Sequence, residues 1–303
     1  MLETLLNTGF AYHATESERL AGELEAAADE ARAAPASWGP FLRIATHTIG
    51  EHLGDWPRAA RLGDAVLAGQ APTAETAKAW AHLSLARLLA GDAAGAAKAE
   101  LAWLGAAGAD FRAAAVELKF LLVAALVGDR RAGAAAPLYR AALDLARNLG
   151  EAAPARAIAV ASNNLATDLL EAPTRTPDEA AVMRLAADAA HEFWLRCGAW
   201  ENDERGRYLQ ALVANVLGEA DAALGHVRAA LAIIDAHAPQ PVDAAFLHLA
   251  AAHARHLLGE AAASAAELSR SDAIAAGWDD PGLVAWHAEE RARVFPDQPP
   301  RGG

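Results

Sequence analysis

Cys197 is the only cysteine in a chain of 303 residues. No intrachain disulfide can form, and nothing here is designed for an oxidising compartment. Long apolar runs are missing too. No window approaches the roughly 18–20 uninterrupted apolar residues that a membrane helix requires, and the most apolar stretch, residues 120–127, stops at Gly128-Asp129; a buried helix is expected there. Met1-Leu2-Glu3-Thr4 lacks the basic and apolar segments of a secretory signal, so a cytoplasmic protein is expected. Positive charge is scarce: 26 Lys and Arg face 39 Asp and Glu, a net charge of −13. Few cations are available to release counterions from phosphates, which opposes binding to nucleic acid or to a membrane surface and favours a neutral or basic partner.

Catalytic signatures are also absent. No Gly-x-x-x-x-Gly-Lys-Ser/Thr, Gly-x-Gly-x-x-Gly, Gly-x-Ser-x-Gly or His-Glu-x-x-His occurs, and there is no Glu-x-x-His pair of the di-iron type. No catalytic residue, cofactor or metal is therefore assigned. His253 and His256 share a helix face, and His47 with Glu51 forms another half-site four residues apart. Two ligands fall short of the three or four that zinc needs, and several hairpins separate the two groups. Acid–base chemistry built from His52, Glu51, His253 or Tyr208 in a pocket is the remaining enzymatic alternative. Cys197, between Arg196 and Gly198 at an expected helix end, reads as a structural residue.

What the chain has in quantity is alanine, the best helix former, with 54% hydrophobic content and few β-branched residues. An all-α fold follows. A turn recurs along it: Leu53-Gly54-Asp55, Ala90-Gly91-Asp92, Val127-Gly128-Asp129, Leu217-Gly218-Glu219 and Leu258-Gly259-Glu260. Glycine adopts the left-handed conformation that ends a helix, and the acidic residue favours the start of the next. The glycines are 37, 37, 90 and 41 residues apart, the 90 covering two units. Such spacing predicts an α-solenoid of about six antiparallel hairpins, over 41–70, 73–108, 110–150, 154–197, 200–237 and 241–276, in a single domain. A helix over 15–34 and another over 282–295 are expected to cap it, with a flexible tail at 297–303. In the fourth hairpin the turn is longer, and Thr176 with Glu179 has the spacing of a capping box behind Pro177.

These turns resemble the tetratricopeptide repeat superfamily, whose usual period is about 34 residues. The small residue five after each turn glycine is Ala59, Ala96, Gly133, Ala223 and Ser264; the one seven before it is Ser84, Ala211 and Ala252, with His47 and Leu121 as exceptions. Ser162-Asn163-Asn164-Leu165-Ala166 looks like the Asn-Leu-small stretch of a first helix. The resemblance covers 41–276 and implies that first helices line a concave groove through positions 13, 10, 6, 3 and 2 before the turn glycine. Those positions include Thr48, Glu51 and His52; Lys78; an apolar patch of Ala115, Leu118, Leu122, Ala125 and Leu126; Asn163, Thr167 and Glu171; Arg205, Tyr208 and Asn215; and Phe246, His253 and His256.

Polar groups thus concentrate toward the C-terminal half of the expected groove. Arg205 and Tyr208 share a helix face, with Glu204 beside Tyr208, a combination suited to holding a carboxylate or a peptide backbone. The expected function is non-catalytic binding of a protein or peptide segment in the groove. A small-molecule sensor, closed by the loop from Pro173 to Pro177, is the alternative; an enzyme or metal protein of unusual helical fold is the third. The eight tryptophans are spread along the chain and fill gaps between alanine-rich helices, while Trp278 and Trp286 are candidates for a patch through which a homodimer forms.

Overall fold

The computed structural model describes residues 2–295, so the tail expected at 297–303 lies outside the described residues. Among the described residues there is no strand, and no helix is long and apolar enough to cross a membrane. The chain falls into two compact units, Met1–Pro154 and Ala155–Gly303. The first holds α1 (Leu2–Tyr12), α2 (Ser17–Ala26), α3 (Ala28–Ala33), α4 (Trp38–Ala45), α5 (Trp56–Leu67), α6 (Lys78–Leu89), α7 (Ala93–Ala107), α8 (Phe111–Gly128) and α9 (Ala132–Leu149). The second holds α10 (Ala155–Glu171), α11 (Pro177–Cys197), α12 (Trp200–Val216), α13 (Ala220–Ala236), α14 (Pro241–Leu257), α15 (Ala261–Ala275) and α16 (Pro281–Val294).

Adjacent helices pair, as the turns predicted: α6 with α7, α8 with α9, α10 with α11, α12 with α13 and α14 with α15. Within the second unit the first helices also touch one another, α10 with α12 and α12 with α14, whereas α11 has no comparable contact with α13, nor α13 with α15. The first helices therefore form one layer in mutual contact. The small residues explain the tight hairpins. Ser84 Oγ donates to the Ala96 carbonyl at 2.9 Å and Ser264 Oγ to the Ala252 carbonyl at 2.8 Å, so the positions seven before and five after the glycine meet across each seam. Ala211 and Ala223 are fully buried at the same positions of their hairpin. Asp55 and Asp92 cap the helices they open, and Thr176 with Glu179 forms the capping box.

Three local expectations change. The helix expected over 15–34 is broken at Ala27 into α2 and α3, and α1 precedes both. Leu2, Leu5 and Gly9 of α1 are buried, and a Cβ on Gly9 would sit 2.5 Å from Ile44 Cδ1, so the glycine admits α4. Arg58 of α5 ties α2 in place through Glu25 at 2.7 Å and Glu18 at 3.0 Å.

In the third hairpin the left-handed residue is Arg130, φ 58°, not Gly128, which ends α8. Arg131 N–H then reaches the Leu126 carbonyl at 2.8 Å, the same step that Asp92 makes to Arg87. The register moves by two, and the seam residues become Val123 and Ala135, both buried, while Gly133 is exposed.

The first hairpin departs most. After α4 the helix widens into a π-turn over Thr46–His52. Trp56 folds back onto Gly50, whose absent Cβ would lie 2.3 Å from the ring. The wider turn holds one more residue than an α-turn, so Thr46 is buried and His47 is carried off the seam to a half-buried position.

Candidate functional site

In the second unit the structure separates the predicted groove residues into surface and interior. Asn163 and Thr167 on α10 are half-buried, and Glu171 at its end is exposed. Arg205 on α12 is exposed and pairs with Asp243 of α14 at 3.2 Å. Tyr208 is half-buried and packs into two apolar clusters at once, one built on α12, α13 and α14, the other on Phe246, Leu249 and Phe295. Burial first, then the Glu290 carboxylate, pushes its hydroxyl well above the usual range for a phenol. His253 is half-buried, its pKa lowered by burial and then by His256, and His256 is exposed.

Asn215 and Phe246 are not surface groups. Asn215 is buried and its Nδ2 donates to the Ala250 carbonyl at 2.9 Å, joining two hairpins; Phe246 is buried against Trp286 with ring centroids 4.2 Å apart. In the first unit Lys78 is exposed at the start of α6, but Leu118, Ala125 and Leu126 are buried, so most of the expected apolar patch is core. Counting back from a turn does not separate a helix's surface from the seam beneath. Trp286 is 46% exposed and Trp278 half-buried, whereas Trp38, Trp56, Trp80 and Trp103 are core. Cys197 is exposed at the end of α11, its Sγ donating to the Phe193 carbonyl at 3.3 Å.

Burial singles out Glu204, a residue outside the counted groove positions. It is 1% exposed, and its carboxyl group faces the Asp243 carboxylate and no donor among the described residues. Burial, then the neighbouring Asp243 carboxylate, raises its pKa to about 7. The Asn215 Oδ1 on the same helix also lacks a hydrogen-bond partner among the described residues. A buried acceptor left in this state costs about 1–3 kcal/mol.

The first unit brings Glu51 and His52 into a second group. His13 follows α1, and α1 crosses α4 just ahead of the π-turn that carries His47, Glu51 and His52. The ring centroids of His13, His47 and His52 form a nearly equilateral triangle, with sides of 4.9, 4.8 and 4.8 Å. One nitrogen from each ring lies within 4.8 Å of the other two. On an α-helix, residues five apart stand roughly 140° apart around the axis; i→i+5 hydrogen bonding brings His52 back over His47. His47 Nδ1 lies 2.5 Å from Glu51 Oε2, His13 Nδ1 lies 2.6 Å from the Phe10 carbonyl, and the His47 and His52 Nε2 atoms are 3.3 Å apart. Burial first, then the charges of His47 and His13, lowers the His52 pKa.

His47 and Glu51 were legible in the sequence as a half-site, but His13 was not, because no helix was expected before residue 15. The spacing of Leu2, Leu5, Leu6 and Gly9 is the signal that marks α1. No protein-family model matches this chain, and no curated protein is significantly similar to it.

Proposed function

We propose that this chain is a non-catalytic helical-repeat protein of tetratricopeptide type that holds a neutral or basic peptide segment against the first helices of its second unit. The observation that carries the proposal is the buried carboxyl group of Glu204 on α12, which faces the Asp243 carboxylate and no donor among the described residues. A buried acceptor of this kind is satisfied by a donor brought from outside, and a Lys or Arg side chain of a partner supplies both donors and charge. Arg205 and Asp243 lie at the same α12–α14 contact, in a pair whose arginine is exposed and whose aspartate is half-buried. Such a pair contributes about 0–1 kcal/mol and re-forms with other partners at little cost. Asn163, Thr167 and Glu171 extend the polar surface onto α10.

The test is binding to an array of synthetic peptides spanning acidic, neutral and basic composition, with wild type compared with Glu204→Gln and Asp243→Asn. Retention of basic or neutral peptides by wild type, weakened about tenfold in the folded variants, supports the proposal. Equal binding by wild type and variants, or preference for acidic peptides, overturns it.

A further inference from the structure

We propose that His13, His47 and His52 bind one divalent transition-metal ion, zinc in particular, with Glu51 orienting His47 and a fourth coordination position left to water. The inference does not depend on the peptide-binding proposal, which concerns the other unit.

Imidazole nitrogens are ligands of first choice for zinc, at about 2.0–2.1 Å, and a tetrahedron of that size has edges of about 3.3–3.4 Å. The 3.3 Å between the His47 and His52 Nε2 atoms matches one such edge. The three ligating atoms lie within 4.8 Å of one another, so the longest separation shortens by up to about 1.5 Å when the edges equalise. His13 sits in the turn between α1 and α2, where a ring can make that movement without shifting a helix.

Two of the three rings already have their other nitrogen held. With Nδ1–H donated to the Phe10 carbonyl, His13 presents its Nε2 lone pair; with Nδ1–H donated to Glu51, His47 presents its own. A carboxylate or carbonyl behind a ligating histidine is the arrangement that fixes the tautomer and raises ligand basicity at metal sites. Without a cation, His52 must carry its proton on Nε2 for the 3.3 Å contact with His47 to be a hydrogen bond. A metal removes that requirement by accepting both lone pairs.

The surroundings fit an exchangeable site. Phe10 covers one side, its ring 5.5 Å from His13 and 5.8 Å from His47, with Arg43 over its face at 5.2 Å. Gly128 of α8 leaves room beside Glu51, where a Cβ would come no nearer than 3.7 Å. His13 and His47 are half-buried and His52 is exposed, so the fourth position opens to solvent. Three protein ligands with one open position is the arrangement of an accessible zinc site, in contrast to a closed structural one.

The test uses the full chain without a histidine tag, stripped with a chelator and titrated with zinc against a chromophoric competitor, then with cobalt(II). The expected result is one equivalent per chain, an intense visible band for cobalt(II) of the kind given by four-coordinate ions, and a higher melting temperature with zinc. His47→Asn and His52→Asn each weaken binding at least 100-fold, and Glu51→Gln weakens it about 10- to 100-fold. His253→Asn with His256→Asn leaves it unchanged. Under about 0.1 equivalent of zinc bound by wild type at micromolar metal overturns the proposal, as does binding that survives loss of His47 or disappears with His253 and His256. The wild-type titration decides the question even where a histidine variant fails to fold.

Discussion

The Gly50 Cα stands against the Trp56 ring so closely that a Cβ on it would lie 2.3 Å from the ring carbon Cζ3. Trp56 opens α5 and Gly50 lies inside the π-turn, so this contact holds the wide turn against the next helix and keeps His47 and His52 on one side.

Gly50→Ala therefore overpacks the first hairpin. A loss of about 1–3 kcal/mol is expected in chemical denaturation, as for other methyl groups forced into a filled interior. Zinc affinity is expected to fall with it, since the turn that aligns the two rings is displaced. A variant that keeps full stability would show that the π-turn does not depend on the Trp56 contact.

His82 on α6 is buried, with Nδ1 3.3 Å from Thr46 Oγ1. Burial, and after it the charges of Arg43 and Lys78, lowers its pKa from 6.5 to about 4. The unfolded chain takes up the proton first, so this stability is present above pH 6.5 and is lost as pH falls toward 4. The loss is on the order of 3 kcal/mol. Urea denaturation between pH 7 and 4, with chelator present, is expected to be less pH-dependent in His82→Asn.

Glu204 has the opposite sign. Its folded pKa, raised from 4.5 to about 7, means that the folded chain binds the proton more tightly. Its contribution is complete below pH 4.5 and is lost as pH rises through 7, on the order of 3 kcal/mol. Glu204→Gln is expected to remove that decline between pH 4.5 and 8, read from melting temperatures across the range. A basic peptide that binds wild type at pH 8 is expected to restore part of the lost stability.

Arg130 holds a left-handed conformation that costs a residue with a Cβ about 1–2 kcal/mol. Arg130→Gly is expected to stabilise the protein by up to about 1 kcal/mol, whereas Gly91→Ala, at φ 88°, is expected to destabilise it by about 1–2 kcal/mol. Denaturant midpoints of the two variants should shift in opposite directions.

The hairpins were legible because their signals are local. Gly54, Gly91, Gly218 and Gly259 all take positive φ, and Thr176 and Glu179 form their capping box, since both features depend on residues a few positions apart. Small residues at the seams were legible for the same reason. The two exceptions to that pattern, His47 and Leu121, mark the two places where the register changes: His47 lies in the π-turn, and Leu121 belongs to the hairpin whose left-handed residue is Arg130. Their bulk was a sign that neither residue sits on a seam.

The candidate sites were legible only in part. Arg205 stands exposed where a surface group was expected and Glu51 is half-buried, but Asn215 and Phe246 are interior because neighbouring helices cover them. Amino-acid order determined the helical class, the hairpin turns and the seams, since alanine propensity, glycine conformation and acidic caps act within one or two turns of chain. Only tertiary structure decided that Glu204 faces no donor among the described residues and that His13 meets His47 and His52. Burial and long-range approach depend on which helix packs over which, and no local spacing encodes that.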